Sequence, residues 1–455
     1  VTNSEGVFPI GSWPLFFEGA RDQVLFAASL PAGGGGSSQP ILARTDGTSP
    51  GTESVAEVTA WKLVRHQGLW YFEGWVEGQP EGYGLWRSDG TPGGTVPLWV
   101  GIGLAEIEPS GDVLFLASRP ISGNPALLVY DPAGIQHVLQ EFEGEGDCEG
   151  PSSLASDDAG GVFFAAWKVD TGCELWHSDG TLEGTQQVAE LVAGAMSSIS
   201  GPYPLYYQPP SPPPIVAVSG RAFFAAMDPS HGQELWTSDG TPEGTYRLGD
   251  LCPGPCSSAP RQLFPAGDGV YFVADDGHSG RELWWSDGSV GGTRRVVELA
   301  PGSDSSWPEP LLWANGELYF AAHNRFLGME LWKTRGRWWS TRLVGDLHPG
   351  PGSSSPGTPA LACPYLFFSA TNGADGFEPW SVQVMDGADV EVADQVLRDG
   401  RFVTACHTLR LGYGVHVAQG GRVRVTAGES IALDNGFSVG AGASFTASLD
   451  RDLTS

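Results

Sequence analysis

The chain has 455 residues, a formal net charge of −29, and only 24 lysines and arginines against 53 acids. That balance excludes nucleic-acid binding, which needs a basic footprint for the phosphates, and the 41% hydrophobic content excludes a disordered chain. With 65 Gly, 35 Pro, 17 Trp and 21 Phe, and no long helix-period run, the composition reads as turn-rich and all-β.

Residues 1–10 form an N-terminal extension. From 11 to 386 one phrase recurs: Glu-Leu-Trp-x-Ser-Asp-Gly-Thr-x-x-Gly-Thr. Ala43 to Thr52 keeps its second half, and Leu85 to Thr95 lacks the Glu. Leu128 to Gly134 is degraded. Glu174 to Thr185 and Glu234 to Thr245 are full copies, and Glu282 to Thr293 carries Ser289 for a Thr. Glu330 to Gly336 is degraded again, and Glu378-Pro379-Trp380 is the last trace. The anchors are Asp46, Asp89, Asp131, Asp179, Asp239, Asp287, Arg335 and Gln383, spaced by 43, 42, 48, 60, 48, 48 and 48. The 60 contains the Pro-rich insert Pro202 to Pro214. Such a period means a propeller or a solenoid.

Each copy holds four strand-like runs. In the copy from Ala259 to Leu299 they are Arg261 to Pro265, Val270 to Ala274, Glu282 to Trp285 and Thr293 to Leu299. The second run is apolar without alternation, as expected when both faces of a sheet are packed. Four short strands per repeat predict propeller blades. Eight can be written; seven, with terminal strands sharing one sheet, is the alternative. The Asp-Gly pair between the third and fourth runs is a hairpin signal. Asp46, Asp89, Asp179, Asp239 and Asp287 are therefore read as carboxylates that tie turns, with calcium ligation as the functional alternative. At these residues the sequence resembles the bacterial ELWxxDGT-repeat proteins, which implies a propeller on exported proteins and little about activity.

Residues 387–455 carry a different rhythm. Leu409, Leu411, Gly414, Val415, Val417, Gly420 and Val423 align with Ile431, Leu433, Gly436, Phe437, Val439, Gly442 and Phe445 at an offset of 22. Short β runs at a fixed offset predict stacked coils of a small β-solenoid, with a weaker coil over Val390 to Val403. Ile431 to Ala447 resembles the three-coathanger-stack domain of exported bacterial proteins.

The six cysteines show no zinc or haem spacing, so disulfides in an oxidising compartment are the simplest reading. No apolar stretch is long enough to span a bilayer. A removed signal peptide would explain the start at Val1, and the expected location is extracellular or at the bacterial surface. Loop positions predict the pairs Cys148–Cys173 and Cys252–Cys256. Cys363 and Cys406 would tie the last blade to the C-terminal domain.

The loops between second and third strands share a face with the linking loops Pro-Gly-x-x-Ser-Ser-x-Pro. They are the least uniform, and they hold Asp170, His231, Asp276, His278, Asn324 and Arg325 as candidate binding residues. Trp307, in a linking loop, is expected to pack beneath it. No hydrolase elbow, metalloprotease helix, phosphate loop or EF-hand loop is present. No cofactor is called for, though an acidic surface can recruit calcium. The leading expectation is an exported, non-catalytic surface adhesin or a subunit of an extracellular assembly, with copies of itself or other surface proteins as partners. A carbohydrate- or calcium-binding propeller and a polysaccharide hydrolase or lyase are the alternatives.

Overall fold

The computed structural model describes residues 16–449 apart from 21–22, 31–38, 46–50, 77, 79–82, 120–123, 132, 135, 144–147, 149, 195, 200–214, 363–364, 385–386, 393–395, 398–400, 412–414, 419–421, 428–429, 434–437 and 440–443. It divides into two compact units, residues 1–270 with 286–293, and residues 271–285 with 294–455. The fold is all-β; the one helical element among the described residues is the 3-10 turn Trp338–Ser340.

Five four-stranded antiparallel sheets follow one another in the first unit, each pairing strands in sequence order. The fourth is typical: Ser152–Ser156, Val162–Lys168, Gly172–Ser178 and Gln186–Gln187. Its second strand is buried on both faces, with Val162, Phe163, Phe164, Ala165 and Ala166 all inaccessible. One set of side chains, Phe163 and Ala165, packs with Ile215, Ala222 and Phe224 of the following sheet. The other, Phe164 and Ala166, packs with Phe115, Ala117 and Leu127 of the preceding one. Each such Phe contributes about 1.5–3 kcal/mol by leaving water. This two-sided burial is why the second run of such a copy lacks alternation; in the last sheet the strand Tyr365–Thr371 is buried on one face, at Leu366 and Phe368, and exposed on the other, at Tyr365 and Phe367.

The strands Arg261–Ala266, Gly269–Asp275, Arg281–Ser286 and Arg294–Val297 make a further sheet of the same order, and the divide between the units runs through it. In the second unit follow a four-stranded sheet from Glu309–Ala314 to Arg342–Gly345 and a three-stranded one from Gly357–Ala362 to Phe377–Gln383. Strand pairing then changes from antiparallel to parallel. Arg401–Leu411 pairs with Arg422–Ala427 and Ser430–Leu433, and Arg422–Ala427 pairs with Ser444–Leu449. Every residue in these ladders meets the one 22 positions on, as at Leu409 and Ile431 or Val423 and Phe445. The earlier coil pairs at a slightly shorter offset, Val390 with Leu409 and Val396 with His416. Leu409, Leu411, Val415, Val417, Val423 and Val425 fill the interior.

A buried glutamate holds each well-formed linking loop. In the first unit Glu174 accepts the Ser198 hydroxyl at 2.5 Å and the Leu191 N–H at 3.3 Å, and Glu234 accepts the Ser258 hydroxyl at 2.6 Å and the N–H groups of Leu251, Cys252 and Ser258. In the second, Glu282 and Glu330 repeat the pattern with Ser306 and Ser354. This explains both ends of the sequence pattern. The Glu of Glu-Leu-Trp and the second Ser of the linking phrase are one hydrogen-bonded device, 24 residues apart.

Candidate functional site

Each described Asp-Gly hairpin is closed through one oxygen, Oδ1, of its carboxylate. Asp239 Oδ1 accepts the Thr241 N–H at 3.1 Å and its hydroxyl at 2.7 Å. Thr241 Oγ1 accepts the Gly244 N–H at 3.0 Å, and Thr245 Oγ1 donates to the Thr241 carbonyl at 2.7 Å. Ser238 and Thr245 hydroxyls meet at 2.7 Å across the hairpin neck. Gly240 takes a φ of +87°, which a side chain would strain. The same bonds recur around Asp89, Asp179 and Asp287, with Ser289 standing in for Thr in the last. The threonine hydroxyls hold the carboxyls of Asp89, Asp179 and Asp239 below the usual carboxylate range. Asp46 lies outside the described residues.

Two disulfides are present, Cys148–Cys173 and Cys252–Cys256. The side chains of Cys363 and Cys406 lie outside the described residues. In the first unit Asp170 is exposed on the turn after Lys168, and His231 Nδ1 lies 2.8 Å from Asp228 Oδ2 within its own loop. Arg247 approaches the same Asp228 carboxylate. Neither residue reaches beyond its hairpin in a bond that defines a site.

The remaining candidates lie on loops of the second unit. Asp276 accepts the N–H groups of His278 at 2.9 Å and Ser279 at 2.7 Å and pairs with Arg295 at 3.1 Å. Burial pushes its carboxyl up, but these donors outweigh burial and hold it below the usual range. It is therefore the anchor of its loop, and His278 stays exposed beside it. The neighbouring loops are laced by backbone bonds. Arg281 N–H donates to Ser305 Oγ, Ser306 N–H donates to the Arg281 carbonyl, and His323 N–H donates to the Ser306 carbonyl at 2.7 Å. Asn324 Nδ2 donates to the Leu299 carbonyl at 2.8 Å and its Oδ1 accepts the Phe326 N–H at 3.0 Å.

On this laced platform stand two aromatic rings with guanidinium groups over them. Arg281 lies 5.5 Å from the Trp307 ring centroid and Arg325 lies 4.6 Å from that of Phe326. Trp307 is 54% exposed and Phe326 64%. The expectation that Trp307 packs beneath its loop is thus corrected: its backbone adopts φ +48°, and the indole stands half in solvent under Arg281. Arg281 and Phe326 escaped the sequence reading. Both depart from the repeat at fixed places, Arg281 where other copies have Cys173 or Gln233, and that was the available signal. Among the described residues no group of three or more His, Cys, Asp or Glu side chains is placed to hold a metal ion, and no helix is long and apolar enough to cross a membrane.

No protein-family model matches the chain, and no curated protein is similar to it in sequence. Solved structures do resemble it. Puromycin hydrolase is 15% identical over 78% of this chain and 58% of its own, with a TM-score of 0.39. The acylaminoacyl peptidase of Pyrococcus horikoshii is 10% identical over 80% of this chain and 58% of its own, at 0.40. The β-propeller domain of the Trilobed protease from Pyrococcus furiosus is 10% identical over 73% of this chain and 98% of its own, at 0.40. The chain thus spans a little over half the length of the first two. The similar structures whose names give an activity are puromycin hydrolase and peptidases. That finding overturns the expectation of a non-catalytic surface adhesin or assembly subunit. At these scores no activity or substrate passes from them to this chain.

Proposed function

We propose that the chain is an exported, polypeptide-recognising β-propeller of eight blades, built from ELWxxDGT-type repeats. The blade reading is supported by the succession of four-stranded meanders, closed by a three-stranded one. Export is supported by two disulfides, which persist in oxidising compartments. Recognition rests on one observation: the paired Arg281–Trp307 and Arg325–Phe326 groups, exposed on bonded loops of the second unit. Trp and Arg dominate the energetics of protein–protein contacts, since each offers a large apolar face together with fixed donors. A polypeptide supplies what this surface can grip, apolar side chains for the rings and carbonyl or carboxylate oxygens for the guanidinium groups.

The test is binding of the full chain to an arrayed library of random-sequence peptides, beside the Trp307→Ala and Arg281→Ala variants. Retention of a peptide subset that both variants release supports the reading. Equal retention by wild type and variants refutes it. Mass spectrometry of the retained peptides extends the reading to hydrolysis if they are cut.

A further inference from the structure

The hairpin Lys333 to Arg342 occupies the place that an Asp-Gly-Thr or Asp-Gly-Ser turn fills in four other sheets, yet it lacks their carboxylate and carries different side chains at its tip. Aligned residue by residue, Ser238-Asp239-Gly240-Thr241-Pro242-Glu243-Gly244-Thr245 becomes Thr334-Arg335-Gly336-Arg337-Trp338-Trp339-Ser340-Thr341. The structural skeleton is kept. Thr334 and Thr341 hydroxyls meet at 2.8 Å, and the Gly336 N–H donates to Thr334 Oγ1 at 3.1 Å. Ser340 Oγ replaces the lost carboxylate, accepting the Arg337 N–H at 3.3 Å where Asp239 accepts that of Thr241; it also accepts the Arg335 N–H at 3.1 Å and donates to the Arg337 carbonyl at 2.7 Å. The turn therefore closes without help from Arg335, Arg337, Trp338 or Trp339, whose side chains take no part in those bonds.

Three of these side chains, Arg337, Trp338 and Trp339, face water, and Arg335 pairs with Glu317. Trp338 is 69% exposed and Trp339 66%, with their rings edge-to-face at 5.8 Å and 87°. Arg337 lies 5.7 Å from the Trp339 ring centroid. Lys333, Arg335 and Arg342 converge on one carboxylate, Glu317, at 2.7, 3.1 and 3.6 Å. Burial pushes the Glu317 carboxyl up, but the Lys333 bond and these charges outweigh burial and hold it below the usual range, so it stays an anion. Four cations thus stand against a single acid, in a chain whose net charge is −29. Two large indoles in water at a convex tip give no folding benefit that would explain them.

We propose that this hairpin docks an acidic peptide segment that carries an apolar side chain among its carboxylates. Charge complementarity selects the acid: the excess cations over Glu317 have no other partner of sufficient charge in the hairpin, and arginines grip carboxylates through two parallel N–H bonds. Ring geometry selects a peptide over an anionic glycan. The indoles are perpendicular and Arg337 lies over one of them, so there is no continuous flat platform for successive sugar rings. The corner between them fits one side chain. The proposal does not depend on the Trp307 surface, and the two can fail separately.

The experiment measures fluorescence anisotropy of labelled peptides alternating Glu and Phe against the full chain at low and physiological salt. Controls are Lys–Phe and Gln–Phe peptides and a uronate polysaccharide. The informative variant grafts the sister turn: Arg335→Asp, Arg337→Thr, Trp338→Pro, Trp339→Glu and Ser340→Gly. The grafted turn should still close, because the same seven-residue sequence closes the hairpin at Asp239. The expected result is binding of the Glu–Phe peptide, weakened by salt, and lost on the order of tenfold or more in the graft. Trp307→Ala leaves it unchanged. No binding of the Glu–Phe peptide, binding that the graft keeps, or stronger binding of the polysaccharide at this hairpin overturns the proposal.

Discussion

Replacing Glu282 by Ala removes the acceptor for three buried donors at once: the Ser306 hydroxyl at 2.5 Å, the Leu299 N–H at 3.2 Å and the Ala300 N–H at 3.3 Å. Each stranded donor costs about 1–3 kcal/mol, and water entering the space recovers part of that, so the loss expected is about 3–5 kcal/mol. Denaturant unfolding and amide exchange at Leu299 and Ala300 would both register it. The pH dependence sharpens the test. Burial pushes the Glu282 carboxyl up to about 7 against the pull of the Ser306 hydroxyl and the loop amides. A folded pKa above the ordinary value means that protonation favours the fold. The stability from this group is then fully present below about 4.5 and lost as pH rises through about 7. Acidification across that window should add about 1–3 kcal/mol to the wild type at this position and nothing to Glu282→Gln, which cannot titrate. Parallel pH profiles for the two proteins, or a Glu282→Ala midpoint equal to wild type, would refute the clasp as the device that fixes the linking loop.

Other expected outcomes follow from the turns and the crosslinks. A Cβ at Gly244 would sit 1.9 Å from Asp239 Oδ1, so Gly244→Ala should cost about 1–3 kcal/mol in thermal or denaturant unfolding. Asp239→Asn, which keeps an acceptor oxygen at an exposed turn, should cost under about 1 kcal/mol; the reverse order would refute the turn account. Cys148–Cys173 closes 25 residues and Cys252–Cys256 closes 4. Loop-closure entropy then predicts losses of about 3.5 and about 2 kcal/mol when each pair is replaced by serines, read as separate shifts in the unfolding midpoint. Leu411→Ala in the parallel coils should cost about 2–5 kcal/mol and leave exchange at Leu299 unchanged, because among the described residues its apolar cluster is made of residues of the parallel coils.

The repeat made most strand positions legible, because each copy states the same pattern and the errors of one are corrected by the next. The second run, Val270 to Ala274, lies within the strand Gly269–Asp275, and the offset of 22 between Leu409 and Ile431 is the register of a parallel ladder. The pairs Cys148–Cys173 and Cys252–Cys256 were readable because loop order alone puts each pair on one side of a sheet. The glutamate clasp was not readable as such. Its two halves lie in different phrases, and only the fold shows that Glu174 and Ser198 meet. The candidate loop residues were harder still, since polarity marks a loop residue without saying whether it is spent. Asp276 and His231 are held within their own loops by local bonds, whereas Arg281 and Phe326 are presented outward.

A succession of like four-stranded sheets gives its own reference for what folding requires. Asp89, Asp179, Asp239 and Asp287 close the same turn by the same bonds, so the bonds that such a turn uses can be read from four copies. The hairpin from Lys333 to Arg342 forgoes the carboxylate and still closes, because Ser340 supplies the missing acceptor. Two substitutions, at Arg335 and Ser340, thus compensate each other at the backbone while three others, Arg337, Trp338 and Trp339, place a cation and two indoles in water. Compensation of that kind separates the part of a motif that folds from the part that is exposed. In this chain the exposed part is where basic charge gathers against an acidic background. A hairpin that differed only by drift would keep the background charge and lose bonds; this one keeps its bonds and reverses its charge.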